Sequence, residues 1–248
     1  MTDIHCHILP KIDDGASSAE EAVRMAGMAY ESGVTAIAAT PHFYGAPDSL
    51  ELLPLITEKL KLFRSALSDE GIPLLVYGGA EILCVRETVE LAKRKALPTL
   101  GAGKYVLCEF YFDESALTME AILDSFMGEG YIPVVAHPER YEAIQADPLR
   151  LGRWFEKGLI LQINRGSILG RFGSSSERTA HFLLSRGLAH VIASDAHSSR
   201  MRTPHMADVR RFALENLGAE YTSVLLSENP SRILRGRAVV SAEKSNRS

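Results

Sequence analysis

The residues able to do chemistry in this chain fall in a few short stretches. The first, MTDIHCHILPKIDDG, sets His5 and His7 two positions apart with Asp13 and Asp14 close behind. Then come TPHF with His42, GAEI with Glu81, CEF with Glu109, AHPERY with His137 and Arg140, and SDAHSSRMRTPHM with Asp195, His197 and Arg202. Five imidazoles and three carboxylates, with Asp13 or Asp14 as a ninth donor and no thiolate, suit Mn, Fe or Zn rather than a soft sulfur site. Nine donors exceed the shell of one ion, so the set implies a cluster of two or three with at least one bridging carboxylate. Clustered divalent ions do hydrolysis: they lower the pKa of a bound water toward ~7 and stabilise attacking and leaving oxygens.

No single stretch carries this reading. A histidine pair at strand spacing is as often a core pair, Glu81 and Glu109 could each be a buried partner of an arginine, and His42 and His137 could be loop histidines. The weight lies in their joint placement. Arg140 and Arg202 follow ligand-bearing runs, and a guanidinium fork matches phosphate oxygens; Arg200 competes less well for the second place. A cysteine-based phosphatase needs C-x5-R, and the residues at that spacing from Cys6, Cys84 and Cys108 are Ile12, Glu90 and Glu114. Cys6 reads as a small apolar residue facing away from the two histidines. There is no GxxxxGK[ST] and no strand-following GxGxxG. His181 falls in a helical pattern, His190 starts a strand at the wrong end, and His205 is no better than a supporting residue.

The elements that must carry these residues are short apolar runs separated by amphipathic stretches. Strands are expected over Asp3–Leu9, Val34–Ala39, Leu74–Tyr77, Lys104–Phe110, Ile132–Ala136, Leu159–Ile163 and His190–Ala193. Helices are expected over Ser18–Glu31, Leu50–Glu70, Val85–Lys95, Thr118–Met127, Pro148–Lys157, Ser176–Arg186 and Met206–Leu217. Seven βα units predict an α/β fold with a parallel sheet closed into a barrel. In such barrels the active site lies at the C-terminal ends of the strands, and the ligand-type residues sit where the apolar runs stop. Thr40–Ser49, with two prolines and a glycine, reads as a loop over one end.

The 248 residues suit one large domain. We read 1–239 as that barrel and 240–248 as a polar, frayed tail. The net charge of −4 argues against nucleic acid. Three scattered cysteines form no disulfide framework and fit a reducing compartment. No apolar run is long enough for a membrane span, and the N-terminus lacks a signal-peptide pattern, which points to the cytoplasm.

Taken together, DIHCHILPKIDDG, TPHF, GAEI, CEF, AHPERY and ASDAHSSRMRTPHM resemble the polymerase and histidinol phosphatase (PHP) superfamily. Within it the chain looks most like the bacterial metal-dependent protein-tyrosine phosphatases of the capsule and exopolysaccharide type, from Asp3 to about Leu234. The resemblance implies a distorted (β/α)7 barrel and a site of three divalent ions, usually active with manganese. It implies that His5, His7, Glu81 and Asp195 hold the first ion, that Glu81 bridges to a second shared with Glu109 and His137, and that Asp14, His42 and His197 hold the third. Arg140 and Arg202 would clamp the phosphate. The implied substrate is phosphotyrosine on a bacterial tyrosine kinase of polysaccharide export, in its tyrosine-rich tail. Phe43–Ser49 is where substrate-specific differences are expected. A small phosphomonoester such as histidinol phosphate, a nuclease-like module, a metal-dependent amidohydrolase and a non-catalytic binding subunit are the competing readings. The amidohydrolase lacks its strand-end lysine here.

Overall fold

In the computed structural model, which describes residues 1–45 and 49–240, the apolar runs become nine strands. They are β1 Thr2–Cys6, β2 Ala36–Ala39, β3 His42–Phe43, β4 Leu75–Gly78, β5 Glu81–Leu83, β6 Tyr105–Glu109, β7 Ile132–Ala136, β8 Ile160–Asn164 and β9 Val191–Ala193. The helices are α1 Ala19–Glu31, α2 Ser49–Asp69, α3 Arg86–Lys93, α4 Ala116–Gly128, α5 Glu142–Ala146, α6 Arg150–Glu156, α7 Arg165–Ile168, α8 Ser174–Ser185, α9 Ala207–Leu217, α10 Ala219–Ser223 and α11 Asn229–Leu234. Helix α1 begins where expected because Ser18 accepts a hydrogen bond from the Glu21 N–H, with Glu20 and Glu21 at its positive end. None of the described helices is long and apolar enough to cross a membrane.

All strand pairs are parallel, in two sheets ordered β1-β2-β4 and β3-β5-β6-β7-β8-β9. The nine strands occupy seven positions. β2 and β3 are two pieces of one strand interrupted at Pro41, which has no N–H for a ladder; β4 and β5 are likewise two pieces interrupted at Gly79–Ala80. This corrects the reading of Thr40–Ser49 as loop: His42 and Phe43 pair with Glu81 and Ile82. The far edges meet as well. Asp195 N–H donates to His5 O and His7 N–H to Ala196 O, joining β1 to the chain leaving β9. The structure is a distorted seven-position barrel.

Parity along the strands sorts the core. Ala38, Leu107, Val134, Ala136, Ile160, Val191 and Ala193 form an inner cluster with Ile4, and Leu100, Ile233 and Leu234 pack with them. Their sequence neighbours Ile37, Val106, Val135, Leu161 and Ile192 pack in the larger cluster that includes the helices. Continuing the inner parity places Glu109, Gln162, Asn164 and Asp195 toward the mouth. The register of β1 against β2 shifts between Asp3 and Cys6, and Cys6 faces the outer cluster. The expected tail lies outside the described residues beyond Val240. Sequence periodicity also gave no sign of α5, α7, α10 or α11.

Candidate metal centre

Eight of the nine candidate ligands stand at the C-terminal end of a strand position or within four residues past it, and Asp14 lies in the loop after β1. His5 is in β1 and His7 just beyond, His42 opens β3, Glu81 opens β5, Glu109 closes β6, His137 follows β7, and Asp195 and His197 follow β9. Glu81 is the hub. Its Oε1 lies 3.1 Å from both His5 Nε2 and His137 Nε2, and its Oε2 lies 3.1 Å from His7 Nε2 and 3.2 Å from His42 Nδ1. Glu109 bridges the same two flanking imidazoles, 3.5 Å from His42 Nδ1 and 3.6 Å from His137 Nε2. Asp195 Oδ1 lies 3.4 Å from His5 Nε2. Three groups have donor atoms mutually within 4.8 Å: His7, Asp14, His42 and His197; His5, His7 and Glu81; His42, Glu81 and Glu109.

The two aspartates left open by spacing separate by role. Asp13 Oδ2 accepts hydrogen bonds from His7 Nδ1 at 2.7 Å and from the His42 N–H at 3.0 Å. Asp14 Oδ1 instead lies 3.4 Å from both His42 Nε2 and His197 Nε2. The loop that carries them is folded tightly back: Gly15 N–H donates to Asp13 Oδ1, and a Cβ on Gly15 would sit 2.1 Å from His7 O. The DDG sequence is therefore fixed by close approach of backbone to backbone.

Burial and charge shape the site. Burial alone would strip protons from His5 and His7, but the carboxylates around them outweigh it and lift His5 to about 9 and His7 to about 10. Asp13, though mostly buried, is held down to about 2 by its bond to His7. Glu109 is pushed up to about 8 by burial and then by Glu81. His197 is driven down to about 3 by burial, His7 and Arg202. Without a cation, then, protons on His5 and His7 balance a cluster of carboxylates. His42 Nδ1 and His197 Nε2 are buried yet make no hydrogen bond, and an orphaned buried polar atom is costly. Unpartnered imidazole nitrogens converging with carboxylates, and no sulfur, are what a divalent cation requires. The residues fit a metal.

Arg140 and Arg202 reach the same carboxylate from different loops. Arg140 Nη1 lies 3.6 Å from Asp195 Oδ2, and Arg202 pairs with Asp195 Oδ1. Arg202 Nε is buried and unpartnered. Both guanidinium groups lie over aromatic rings: Arg140 is 4.4 Å from the Phe112 centroid and 4.3 Å from that of Phe172, and Arg202 is 5.8 Å from Phe172. His137 and Asp195 have φ of 34° and 51°, a left-handed conformation that costs a non-glycine residue about 1–3 kcal/mol and clusters at functional sites.

Several supporting residues were missed from sequence. Gln162 Oε1 lies 2.8 Å from His5 Nδ1, so that nitrogen carries the proton and Nε2 faces Glu81. Asn164 Nδ2 donates to Asp195 Oδ2 at 2.6 Å while Glu139 Oε1 accepts from the Asn164 N–H. Tyr141 Oη donates to Ala136 O and accepts from the Phe110 N–H, tying the β6 loop to the end of β7. A signal for two of them existed: in LILQIN the polar residues alternate within a buried strand. His181 and His190 bond elsewhere, to Ile168 O and the Leu161 N–H.

The chain is similar to known proteins along nearly its whole length. A profile of the family described as capsular polysaccharide synthesis, CpsB/CapC, matches residues 1–235. The chain is 37% identical over 240 residues to the tyrosine-protein phosphatase YwqE of Bacillus subtilis, covering 96% of this chain and 93% of that protein. It is 29% identical over 248 residues to the tyrosine-protein phosphatase CpsB of Streptococcus pneumoniae, covering 96% and 100%. The fold superposes on a crystal structure reported with those two proteins as unique metal-dependent tyrosine phosphatases, with a TM-score of 0.87, 35% identity and coverage of 97% and 96%. A lactonase from Listeria monocytogenes, 13% identical with a TM-score of 0.62 over 95% and 94%, shares the fold alone. With sequence and backbone both matched along nearly their whole length, the chain belongs to the CpsB/CapC family of capsular polysaccharide synthesis.

Proposed function

We propose that the protein is a metal-dependent protein-tyrosine phosphatase. The observation that carries this is the arrival of two arginines from separate loops at the edge of a nine-donor cluster, both against Asp195. Phosphoryl transfer needs positioning and charge compensation more than covalent chemistry, and this arrangement offers both. In this reading the site holds three divalent ions, manganese foremost with iron or zinc as options. His5, His7, Glu81 and Asp195 take the first; Glu81, Glu109 and His137 the second; Asp14, His42 and His197 the third. When bound, such ions supply Lewis acidity and an activated water.

The chain's own residues do the rest. Arg140 and Arg202 bind and orient the non-bridging phosphoryl oxygens, with Arg202 Nε still free to donate. Gln162 and Asp13 keep the Nδ1 protons of His5 and His7, leaving both Nε2 lone pairs for the cluster. The leaving phenol has a pKa near ~10, so its departure needs little help from a protein acid. The protein substrate would be a tyrosine kinase of polysaccharide export, its tail bound in extended form in the cytoplasm.

The test is phosphate release from a phosphotyrosine peptide by metal-stripped protein, with Mn, Zn and Mg restored separately, beside phosphoserine and histidinol phosphate. Release restored by metal and fastest with phosphotyrosine is expected. Faster release from histidinol phosphate would move the assignment to a small-molecule phosphatase.

A further inference from the structure

Four aromatic side chains among the described residues are exposed: Tyr30, Tyr44, Tyr111 and Phe112. Tyr30 belongs to α1, among the outer helices. The other three follow β3 and β6 at the mouth, and two of them lie on the site itself. Tyr44 stacks on His42 with centroids 5.6 Å apart and planes 25° apart, and Phe112 lies 6.1 Å from the His137 ring. Glu109 reaches both of those imidazoles, so the two aromatic rings flank one carboxylate. Exposing rings that could bury large apolar area is costly, and two such rings against a charged cluster are not explained by packing. The described residues beside these rings are held by specific contacts. The Glu142 N–H donates to Phe112 O, and the Phe110 N–H to Tyr141 Oη. After Tyr44 the chain turns at Gly45, whose φ is +70° and whose Cβ would meet Thr88 Cγ2 at 2.3 Å.

We propose that Tyr44 and Phe112 bind the aromatic ring of the substrate's leaving group, so that the mouth selects aryl over alkyl phosphates. This rests on the phosphatase reading above. In an aryl phosphate a single ester oxygen separates the ring from phosphorus. A phosphoryl group held by Arg140 therefore places that ring beside Phe112, which covers the same guanidinium at 4.4 Å. The side chain of a serine ester is too small to reach and fill the space that a phenyl ring would. Each aromatic contact of this kind is worth a factor of about 3–10 in affinity.

Benzylphosphonate and ethylphosphonate, in which a methylene takes the place of the ester oxygen and which cannot be hydrolysed, are compared as competitive inhibitors of the manganese-loaded enzyme. The expected preference for benzylphosphonate is about tenfold. Tyr44→Ala and Phe112→Leu should each lower it to about threefold, and Tyr44→Phe should keep it. A variant that only disturbs the loop or the Arg140 grip weakens both inhibitors alike, so an unchanged ratio in both truncations overturns the aryl site. Failure of the wild-type protein to release phosphate from any phosphomonoester with any metal overturns the phosphatase reading, and the aryl site with it.

Discussion

Gln162 makes one hydrogen bond that decides which nitrogen of His5 is basic, and Asp13 does the same for His7. Residues in that position usually govern metal affinity by about 10–100-fold. Gln162→Leu and Asp13→Asn should therefore weaken manganese binding by that factor while the protein stays folded, as read by titration calorimetry on metal-stripped samples. The arginines should behave differently. Arg140→Ala should leave metal content unchanged and lower turnover about 10²–10³-fold, the usual cost of losing one preorganised charge donor. Equal metal content with unaltered turnover would remove Arg140 from the phosphate grip. Residues of this kind were legible because a polar side chain that ends an apolar run has few bland uses. Asp13 and Asp14 could not be told apart by spacing, since the difference lies in a loop that folds back onto His7. Gln162 and Asn164 were readable in principle, but an amide inside a strand looks like noise until its partner across the barrel is known.

Among elements, the entry to β9 illustrates burial without function. His190, immediately before β9, accepts a hydrogen bond from the Leu161 N–H and stacks on Phe155 at 4.4 Å. Burial lowers it to about 4. The unfolded chain, with an ordinary value near 6.5, binds the proton first as pH falls. Stability is thus full above about 6.5 and is lost between about 6.5 and 4, by on the order of 3 kcal/mol from this group. His190→Asn keeps an acceptor for Leu161 and should flatten that part of the slope in urea unfolding across this range. Tyr141→Phe attacks a different joint: it orphans the buried Phe110 N–H and should cost about 1–3 kcal/mol. All seven strand positions were visible as apolar runs with turn signals. The two-residue strand β3 was not, because Pro41 and the Gly79–Ala80 break hide a continuous strand as two fragments. Helices α10 and α11 were overlooked because Gly218 and Pro230 punctuate the stretch and its apolar residues bunch at Val224–Leu226 and Ile233–Leu234 instead of recurring at helical spacing.

For the molecule as a whole, the ligands come from both halves of the chain, so metal binding and folding are linked. An ion that binds only the folded state adds about 2.7 kcal/mol at 100 times its dissociation constant. For a chain of this size that is a rise in Tm of about 5–10 °C. Thermal scans of stripped protein with and without manganese should show it, and a Tm indifferent to metal would mean that the cluster does not bind as a unit. A closed barrel was foreseeable from the count of βα units, but the closing register was not, because it depends on two main-chain hydrogen bonds between β1 and the chain after β9 that no pattern encodes.

Those contacts have a further consequence for how the protein is made. Cys6 and Ala196, paired across the closing edge, are 190 positions apart. At about 5–20 residues per second, ribosomes deliver the second partner roughly 10–40 s after the first. Throughout that interval β1 has only β2 beside it, and His5 and His7 are histidines on a nascent chain with no Asp195 to complete their set. On the proposed assignment, a divalent ion can be held by the full ligand set only once Asp195 and His197 have been synthesised.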